Sequence, residues 1–494
     1  MAGRKRVTIA ALALGGQGGG VLADWILAVG NAHGYRTQGT SIAGVAQRTG
    51  STVYYIELFP DDGGPEPILS LNPVPGDIDI VIASELMEAG RAILRGFVSK
   101  DRTTIISSTH RIYAIAEKSG MGDARASSQR ILDAARDRSK SFVGFDMDEA
   151  ATRSGSVISS LMLGALAGSN ALPFPRESYE AAIRASGIAV EANLRGFAIG
   201  FDEARQGVAL PVEPQPQLPE ATTERGRLLQ ARVFAEIPVT AQANALHGVQ
   251  RLMDYQDRAY ADLYLDRLAV IRAVDDGRDD HALTAETARY LALWMSYEDS
   301  IRVADLKTRA SRVARVEEEV RLKRDQLMAV TEFLHPRLAE VCDILPARLG
   351  RAVLRSRTAK RWSAPLFAKG RFAETSSLRW FLLLRLLAGL RRWRRGTLRY
   401  AEEQARITAW LAMVKDVAAG DQAVALELVR CQRLIKGYGD TFERGLRNFA
   451  AVAALHDRMR GNPGAAESIR QAREAALKDE DGAELERVLS QLAA

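Results

Sequence analysis

A short segment near the start of the chain concentrates glycine, in the run Gly15-Gly16-Gln17-Gly18-Gly19-Gly20. Glycines let the backbone approach an anion closely, and a helix that begins after such a loop offers amide donors and partial positive charge. The segment is therefore a candidate phosphate-binding loop, and a tight turn under a closely packed helix is the alternative. The candidate binding residues are Gly15, Gly16, Gln17, Gly18 and Gly19.

The spacing of these glycines disfavours two common nucleotide sites. The dinucleotide-binding fingerprint requires Gly-x-Gly-x-x-Gly and an acidic residue about twenty positions further on, and the chain lacks both features. A P-loop requires a lysine within the loop, which is also missing. A self-contained nicotinamide dehydrogenase is therefore disfavoured. The loop instead predicts an open α/β sheet with a ligand or a partner at the carboxyl ends of its strands.

A second polar and glycine-bracketed segment spans residues 40–51. Its Gln47-Arg48 pair could aim a guanidinium at a carboxylate or phosphate, so both residues are candidate catalytic residues. Thr40 and Ser41, at the start of the segment, join the glycine loop as candidate cofactor-binding residues. A helix turn with a structural arginine is the alternative.

His110 is the third catalytic candidate. It follows Ser107-Ser108-Thr109 directly after a predicted strand, where ligands bind in open sheets, and could orient a substrate carboxylate. An ordinary loop histidine is the alternative. The six histidines never fall at ligand spacing, so no metal site is predicted.

The elements that must position these residues alternate between short apolar runs and helical patterns over residues 7–205. Val7–Leu14 is a near-continuous apolar run typical of a strand buried on both faces, and Val21–Ala32 has a helical stripe. Such alternation predicts βαβ units and an open, mostly parallel, Rossmann-like sheet over residues 1–206. Further strands are predicted at Thr52–Phe59, Asp77–Ser84, Thr103–Ser107 and Lys140–Phe145.

The character of the chain changes at residues 207–225, where Leu210–Pro219 holds four prolines in ten positions. This composition predicts an extended linker. Strand patterns are missing beyond it, so residues 226–494 are predicted to be all-α. Thr284 is typical of a helix N-cap there, and Gly420-Asp421 of a helix end followed by a new cap.

Composition narrows the class of protein. The 494 residues include two cysteines, Cys342 and Cys431, too few for an iron–sulfur cluster or a Cys-rich zinc site carried by this chain alone. The low cysteine count fits a reducing cytoplasm. No run reaches the length of a membrane span. Residues 4–14 imitate a secretory signal, but a buried first strand is the favoured interpretation.

Positive charge is concentrated in one segment of the helical half. Residues 348–399 hold 15 Lys or Arg and one acid, Glu374, with tryptophans interspersed, whereas the whole chain has a net charge of +6. Such a segment suggests an anionic partner: an acidic protein, a nucleic acid, membrane headgroups or a phosphorylated cofactor. A solvated helix face is the alternative interpretation.

Taken together, the two polar segments resemble the gamma-type domain of the thiamine-diphosphate-dependent 2-oxoacid:ferredoxin oxidoreductases. Among the members of that family, the two segments resemble the beta subunit of indolepyruvate ferredoxin oxidoreductase. Gly15–Gly18 matches its Gly-Gly-Gln-Gly loop, and Gly44–Ser51 matches its Gly-x-Ala-Gln-Arg-Gly-Gly-Ser stretch. The match also includes an acidic helix start, formed by Glu85, Glu88, Ala89 and Arg91, and the segment Ile158–Leu166.

Two departures from the family pattern are visible. Thr49 stands where the family has a glycine, and the chain is more than twice the usual subunit length. The helical half is similar to an extension of long or fused indolepyruvate oxidoreductases, chiefly at Phe333–Leu338 and Arg433–Thr441.

The resemblance implies that this chain is the non-thiamine (beta) subunit of an indolepyruvate or arylpyruvate:ferredoxin oxidoreductase, and that it is not catalytic alone. Such enzymes decarboxylate a 2-oxoacid on thiamine diphosphate, pass electrons through iron–sulfur clusters and transfer the acyl group to coenzyme A. The nearest match to the thiamine motif is Asp275-Asp276-Gly277, without the asparagines that should follow it. The resemblance therefore implies a larger alpha subunit that holds thiamine diphosphate, Mg²⁺ and 4Fe–4S clusters.

The same resemblance implies that ferredoxin or another carrier accepts the electrons. This chain would bind no cofactor by itself, although coenzyme A at the subunit interface is a further candidate. The rival hypothesis is an adaptor protein whose basic helical half docks an acidic protein or, as the less favoured partner, nucleic acid.

Overall fold

The computed structural model describes residues 5–42, 51–113, 117–118, 125, 127–206, 218–320, 322, 325–335, 337–367, 370–437, 439–478 and 481–493. The chain divides into two compact units, Met1–Gln215 and Pro216–Ala494. The last helix of the first unit ends at Gln206, and the first helix of the second begins at Glu224. Residues 207–217 of the predicted linker lie outside the described residues, so the linker remains a prediction.

A six-stranded sheet forms the centre of the first unit. Its strands are β1 (Val7–Ala13), β2 (Tyr35–Ile42), β3 (Thr52–Pro60), β4 (Ile80–Ala83), β5 (Thr104–Ser108) and β6 (Ser141–Phe145), in the order β2-β3-β1-β4-β5-β6. The strands β1, β4, β5 and β6 run parallel, β3 is antiparallel to β1, and β2 is antiparallel to β3. The predicted open and mostly parallel α/β fold is confirmed, with an antiparallel β2–β3 pair that the sequence patterns did not indicate.

Helices cover both faces of this sheet. They are α1 (Gly19–Ala32), α2 (Leu86–Leu94), α3 (Ser128–Arg138), α4 (Met147–Ser154), α5 (Ile158–Gly168), α6 (Arg176–Ser186) and α7 (Val190–Gln206). Strand β1 shows how the layers form, because successive side chains of a strand point to opposite faces. Ile9 and Ala11 join the core under α1 and α5, whereas Ala10 and Leu12 join the core under α2 and α3.

Helix α5 is buried along its whole length and packs directly on α7 through glycines. A Cβ atom at Gly164 would lie 2.1 Å from the carbonyl oxygen of Phe197, and one at Gly200 would lie 2.2 Å from that of Leu161. The two backbones therefore touch, and side chains at these positions would separate the helices. This contact fixes the N-terminal end of α5 beside the sheet.

The second unit is mainly helical. Its helices are α8 (Glu224–Glu236), α9 (Val239–Tyr255), α10 (Arg258–Arg272), α11 (Ala282–Met295), α12 (Ser300–Lys307), α13 (Ala310–Glu319), α14 (Leu338–Asp343), α15 (Ala347–Arg355), α16 (Arg357–Phe367), α17 (Leu378–Gly389), α18 (Leu398–Ala418), α19 (Gln422–Arg430), α20 (Gly439–Arg458), α21 (Ala465–Ala476) and α22 (Ala483–Ala493). Short 3₁₀ helices occupy Arg278–Asp280, Leu390–Gly396 and Cys431–Leu434. One apolar core joins α8–α11 to α18–α22.

Two details of this unit differ from the sequence-based expectations. A two-stranded antiparallel sheet, β7 (Thr331–Leu334) and β8 (Arg371–Glu374), interrupts the predicted all-α region. Helix α11 begins at Ala282, so the prediction of Thr284 as an N-cap is wrong. The predicted cap at Asp421 is confirmed, because its Oδ1 accepts a hydrogen bond from the Val424 amide at 3.0 Å. Among the described residues, no helix is long and apolar enough to span a bilayer.

Candidate functional site

The topology of the sheet creates a crevice at the carboxyl ends of β1 and β4. The chain leaves β1 towards β2 and β3 on one side, and it leaves β4 towards β5 on the other. In open α/β sheets, ligands bind at such a switch point, because the two diverging connections leave space between them. The glycine loop follows Ala13 at the end of β1, so the sheet places it at this switch point.

The first two glycines of the loop face open space. A Cβ atom at Gly15 or Gly16 would meet no other atom of the described chain within 4 Å. Gly16 also has a φ of +86°, in the left-handed region that favours glycine. Because α1 begins directly after the loop, its amide donors face this space. The geometry suits a bound anion.

The next two glycines are required for packing. Gly18 has a φ of +71°, and a Cβ atom there would lie 2.7 Å from the Ser159 hydroxyl oxygen. A Cβ atom at Gly19 would lie 2.4 Å from the ring of Tyr54. The two interpretations of the loop therefore apply to different residues: close packing explains Gly18 and Gly19, and open space explains Gly15 and Gly16.

Ser159 brings the N-terminal end of a second helix to the loop. It lies in the first turn of α5 and is buried, and its hydroxyl oxygen has no hydrogen-bond partner among the described residues. The N-terminal ends of α1 and α5 therefore meet beside Gly18. Two helix N-termini and a free hydroxyl reinforce the anion-binding character of the crevice.

Gln17 joins the loop to the neighbouring strand. Its side-chain oxygen accepts hydrogen bonds from the Leu14 amide, at 3.1 Å, and from the Ser84 hydroxyl. Ser84 follows β4 directly, and its hydroxyl oxygen lies 3.3 Å from the same Leu14 amide. Gln17 therefore holds the loop across the switch point, so its role in this structure is to position the loop.

Two buried carboxylates support the edge next to Ser84. Glu85 caps α2 by accepting a hydrogen bond from the Met87 amide at 2.9 Å, and burial raises its pKa. Glu88 is buried and pairs with Arg91, and it also accepts a hydrogen bond from the Ser51 hydroxyl. The acidic helix start of the sequence pattern thus anchors the residue at which the chain re-enters the sheet as β3.

His110 lies at the same edge of the sheet, beyond β5. Its Nδ1 lies 2.6 Å from the hydroxyl oxygen of Ser108, which also accepts a hydrogen bond from the Met147 amide at 3.0 Å. Burial lowers the pKa of His110, although Asp148 and Asp146 act in the opposite direction. Its Nε2 is buried without a partner among the residues that the structure describes. A neutral imidazole with one free nitrogen is suited to bind or orient a ligand.

The other predicted site residues either make contacts at the edge strand β2 or lie outside the described residues. Gln47 and Arg48 lie outside the described residues. Thr40 donates a hydrogen bond to the Leu71 carbonyl at 2.7 Å, which holds a connection against the sheet edge. Ser41 is exposed and pairs in register with Tyr54, whose ring packs on the glycine loop. Direct contact of Thr40 or Ser41 with a cofactor therefore remains a prediction.

The basic segment at 348–399 is partly internal. Arg394 is buried and pairs with the equally buried Asp299, at 2.7 Å and 3.1 Å. Arg391 donates to the Met253 carbonyl, and Arg399 pairs with Glu403. These arginines are part of the fold, so they are not available to an anionic partner. The remaining described cations of the segment are exposed: Arg348, Arg351, Arg355, Arg357, Lys360, Arg361, Arg371, Arg379, Arg385, Arg392 and Arg395, the last paired with Asp257.

Sequence patterns missed two residues of the crevice, Ser84 and Ser159. Ser84 had a usable signal, since a polar residue directly after a buried strand lies where sheet ligands bind. Ser159 lies in an apolar helix remote in sequence from the glycine loop, so only the packing of α5 shows its position.

Comparisons with known proteins match the two units to two different family models. Residues 8–203 match the family model of pyruvate ferredoxin/flavodoxin oxidoreductases. Residues 241–455 match a model described as a family of unknown function (DUF6537). The search of curated proteins found no match.

Three solved structures are similar to parts of the chain. A pyruvate oxidoreductase subunit from Thermotoga maritima shares 18% identity over 40% of this chain and 97% of its own, with a TM-score of 0.29. The gamma subunit of a keto/oxoacid ferredoxin oxidoreductase from Geobacter sulfurreducens shares 15% over 41% and 100%, with a TM-score of 0.28. The 2-oxoglutarate:ferredoxin oxidoreductase of Magnetococcus marinus, solved with 2-oxoglutarate, coenzyme A and succinyl-CoA, shares 15% over 46% and 38%, with a TM-score of 0.31.

Proposed function

Because residues 8–203 are a domain of the pyruvate ferredoxin/flavodoxin oxidoreductase family, we propose that this chain is the non-thiamine (beta) subunit of an aromatic 2-oxoacid:ferredoxin oxidoreductase. The complete enzyme would convert indolepyruvate or another arylpyruvate to its acyl-CoA by oxidative decarboxylation in the cytoplasm. The family match supports the oxidoreductase class. The aromatic substrate rests on the resemblance carried by the glycine loop and the Gly44–Ser51 segment.

The observation that carries the proposal is the open crevice at the switch point. Gly15 and Gly16 leave space in front of α1. Ser159, beside Gly18, and His110, beyond the end of β5, each have a buried polar atom without a partner in the described chain. An unpaired buried polar group calls for a partner, which a bound ligand would supply. We assign this crevice to an anionic group of coenzyme A or of the 2-oxoacid, held at the interface with a thiamine-binding subunit.

The crevice fits a phosphate-bearing ligand better than it fits a metal. Helix N-termini and hydroxyls donate hydrogen bonds, and among the described residues no three His, Cys, Asp or Glu side chains converge to hold a metal ion. In this proposal coenzyme A supplies the thiol that accepts the acyl group. The residues of this chain contribute binding and orientation: Gly15 and Gly16 admit the anion, and Gln17 fixes their loop.

The segment that comes nearest to the thiamine motif, Asp275-Asp276-Gly277, is not suited to bind thiamine diphosphate and its Mg²⁺. Asp275 is almost fully buried, and its carboxylate accepts hydrogen bonds from the Gly277 amide, at 2.9 Å, and the Thr284 amide, at 2.9 Å. These contacts fix the start of α11 and leave the carboxylate engaged within the fold. We therefore assign the thiamine site and its metal to the partner subunit.

Both cysteines of the chain lie in the interior of the fold. Cys342 and Cys431 are both buried, and burial raises the pKa of each thiol, that of Cys431 to about 12. A high pKa disfavours the thiolate that binds iron. Two cysteines in the whole sequence are in any case too few for a 4Fe–4S cluster. Electron transfer to ferredoxin is accordingly assigned to clusters in the partner.

Co-expression with a thiamine-dependent oxidoreductase subunit from the same genome tests the proposal. The complex would be purified through a tag on this chain and assayed for indolepyruvate-dependent reduction of a viologen dye. Co-elution of a brown, thiamine-containing and active complex is the expected result. A chain that elutes alone and leaves the partner's activity unchanged would contradict the proposal.

Arg48→Ala tests the role of the second polar segment within that complex. We expect the variant to assemble and to lose at least about tenfold in kcat/KM for the 2-oxoacid, as for a lost charged contact. Arg36→Ala is the matched control, because Arg36 lies at the start of β2, opposite the end of β3, and pairs with Asp61 at 3.2 Å. Unchanged kinetics of the Arg48→Ala enzyme would remove Arg48 from the site.

A further inference from the structure

Helix α17 exposes an apolar face, formed by Leu378, Leu382, Leu383 and Leu386. Leu378 and Leu386 are each 72% exposed, and Leu382 is 56% exposed. These three residues are spaced by four, so they lie on one side of the helix. Leu383 is also exposed beside them. Contiguous exposed apolar residues of this kind mark interaction surfaces in folded proteins. The four residues are referred to as the leucine face.

The opposite side of α17 is seated on the second unit. Leu384 and Ala388 are buried against Ala304 of α12, and Leu387 packs beside them. The helix is therefore anchored through one side, and the leucine face points away from the core of its own unit. This arrangement reverses the usual pattern of a surface helix, whose outward side is polar.

The stretch of chain that contains the leucine face carries positive charge and no acidic residue. The sequence has no Asp or Glu between Glu374 and Glu402. Arg379 and Arg385 lie on α17 and Arg392 lies in the following 3₁₀ helix, and all three are exposed. Their side chains form no ion pair within the described chain, in contrast to buried Arg394 close by. Their charges are therefore available to an anionic partner.

The elements that precede and follow the helix along the chain carry exposed aromatic residues. Trp393, in the 3₁₀ helix that follows α17, is 68% exposed. Phe333 and Phe372 form a cross-strand pair on β7 and β8, with ring centroids 5.3 Å apart, and both are exposed. Three residues connect β8 to α17. Aromatic side chains at the border of an apolar face are favoured at the boundary between lipid headgroups and acyl chains.

We propose that the leucine face and its arginines dock this chain on the surface of an anionic phospholipid bilayer. Helix α17 lies in the plane of the membrane interface, with its leucines and Trp393 at the headgroup–acyl boundary. Arg379, Arg385 and Arg392 bind lipid phosphates, since long arginine side chains reach the headgroups while their stems stay in apolar surroundings. The binding is peripheral and reversible, and it is independent of the proposed oxidoreductase function.

Charge complementarity favours an anionic bilayer over a protein partner as the occupant of the leucine face. A second copy of the same face would bring arginines against arginines, with no carboxylate to balance them. An acidic polypeptide would need to present an apolar surface between its carboxylates, matched in shape to the leucine face. An anionic bilayer offers phosphates and an apolar layer together, without matched side chains.

Vesicle flotation with the full chain tests the proposal. The probes are vesicles of phosphatidylglycerol and phosphatidylcholine in equal parts, and vesicles of phosphatidylcholine alone. We expect the chain to float with the anionic vesicles, to stay behind with the neutral ones, and to be released by salt. Leu382→Glu/Leu386→Glu is expected to reduce the bound fraction at least about tenfold. Arg379→Ala/Arg385→Ala is expected to reduce it several-fold and to weaken the salt dependence.

The matched control is Leu94→Glu/Leu228→Glu, which changes two exposed leucines on other helices. This variant should float like the wild type. Failure of the wild-type chain to float with anionic vesicles would overturn the proposal, as would equal losses in the control and in Leu382→Glu/Leu386→Glu. A chain that ignores vesicles but binds the thiamine subunit through the leucine face would assign the surface to a protein partner. The vesicle assay contains no partner subunit, so its failure is separate from failure of the proposed function.

Discussion

The Ser84 hydroxyl donates a hydrogen bond to the side-chain oxygen of Gln17, and this contact crosses the point where the connections of β1 and β4 diverge. It joins two loops that are remote in sequence and that flank the crevice. The Gln17 side-chain oxygen also accepts a hydrogen bond from the Leu14 amide of its own loop. The glycine loop is therefore fixed before any ligand arrives, which lowers the entropic cost of binding.

Gly15 and Gly16 are expected to differ from Gly18 and Gly19 on substitution. Gly18→Ala forces alanine into a left-handed conformation and drives its Cβ against Ser159, so we expect a loss of about 1–3 kcal/mol in the free energy of unfolding. Gly15→Ala places its Cβ in open space, so its stability should change by less than about 0.5 kcal/mol. Urea unfolding of the purified chain measures both values.

The Gly15→Ala and Gly18→Ala variants also separate an effect on stability from an effect on ligand binding. In the reconstituted enzyme, Gly15→Ala should raise the KM for coenzyme A several-fold, because the added methyl group occupies the space in front of α1. An unchanged KM for both coenzyme A and the 2-oxoacid would show that the crevice holds neither ligand.

The pH dependence of stability should report the burial of His110. Burial holds the folded-state pKa of His110 below its usual value of about 6.5. Below about pH 6.5 the unfolded chain therefore binds the additional proton, and the fold loses stability. His110→Gln lacks this contribution, and its Tm relative to the wild type should rise as the pH falls from about 7 to about 5. The exposed His247 provides the control His247→Gln. A Tm difference between His110→Gln and wild type that is constant with pH would contradict this burial effect.

How far the sheet could be predicted depends on burial. Strand β1 is buried on both faces between β3 and β4, so its apolar run was visible in the sequence. Strand β2 lies at the sheet edge, and its sequence, Tyr35–Ile42, is mostly polar and partly exposed. Without an apolar run or a clear alternation, an edge strand of this kind gives no periodic signal. Its partner β3 had the apolar residues, but nothing local indicated the antiparallel direction.

The site was predictable only where one segment contains the whole signal. The glycine loop has its chemistry in consecutive residues, so its position at the end of β1 followed from the strand itself. The hydroxyl of Ser159 reaches the loop through the α5–α7 packing, which no local pattern shows. For the basic segment, the sequence overestimated the charge that is available to a partner. A count of charges does not reveal that Arg394 and Asp299 are paired in the interior.

Asp343 should make the second unit less stable at neutral pH than at acidic pH. Burial raises its pKa from 3.8 to about 6, although Arg399 opposes the shift. A raised carboxyl pKa stabilises the fold at low pH, and this contribution is lost as the pH rises through about 6. Asp343→Asn should therefore gain about 1–2 kcal/mol over the wild type between about pH 4 and pH 7.5, after allowance for solvent screening. A gain that shrinks over this range in urea titrations would contradict the assignment.

The Arg394–Asp299 pair should show the energetic signature of a buried ion pair. Arg394 is 1% exposed and also stacks on Tyr255, with its guanidinium 4.1 Å from the ring centroid. Arg394→Met leaves the Asp299 carboxylate buried without its partner, so we expect a loss of about 3–5 kcal/mol in unfolding free energy. Arg394→Met/Asp299→Leu removes both charges and should recover most of that loss.

The neighbouring pair of Arg395 and Asp257 provides the comparison, because both side chains are more than 40% exposed at an N–O distance of 2.7 Å. Arg395→Met should cost less than about 1 kcal/mol, since water screens an exposed pair. Thermal and urea unfolding of the single and double variants measure these differences. If Arg394→Met were no more costly than Arg395→Met, the buried pair would not be what holds the 3₁₀ helix Leu390–Gly396 on the start of α12, and the internal pairing of the basic segment would lose its energetic basis.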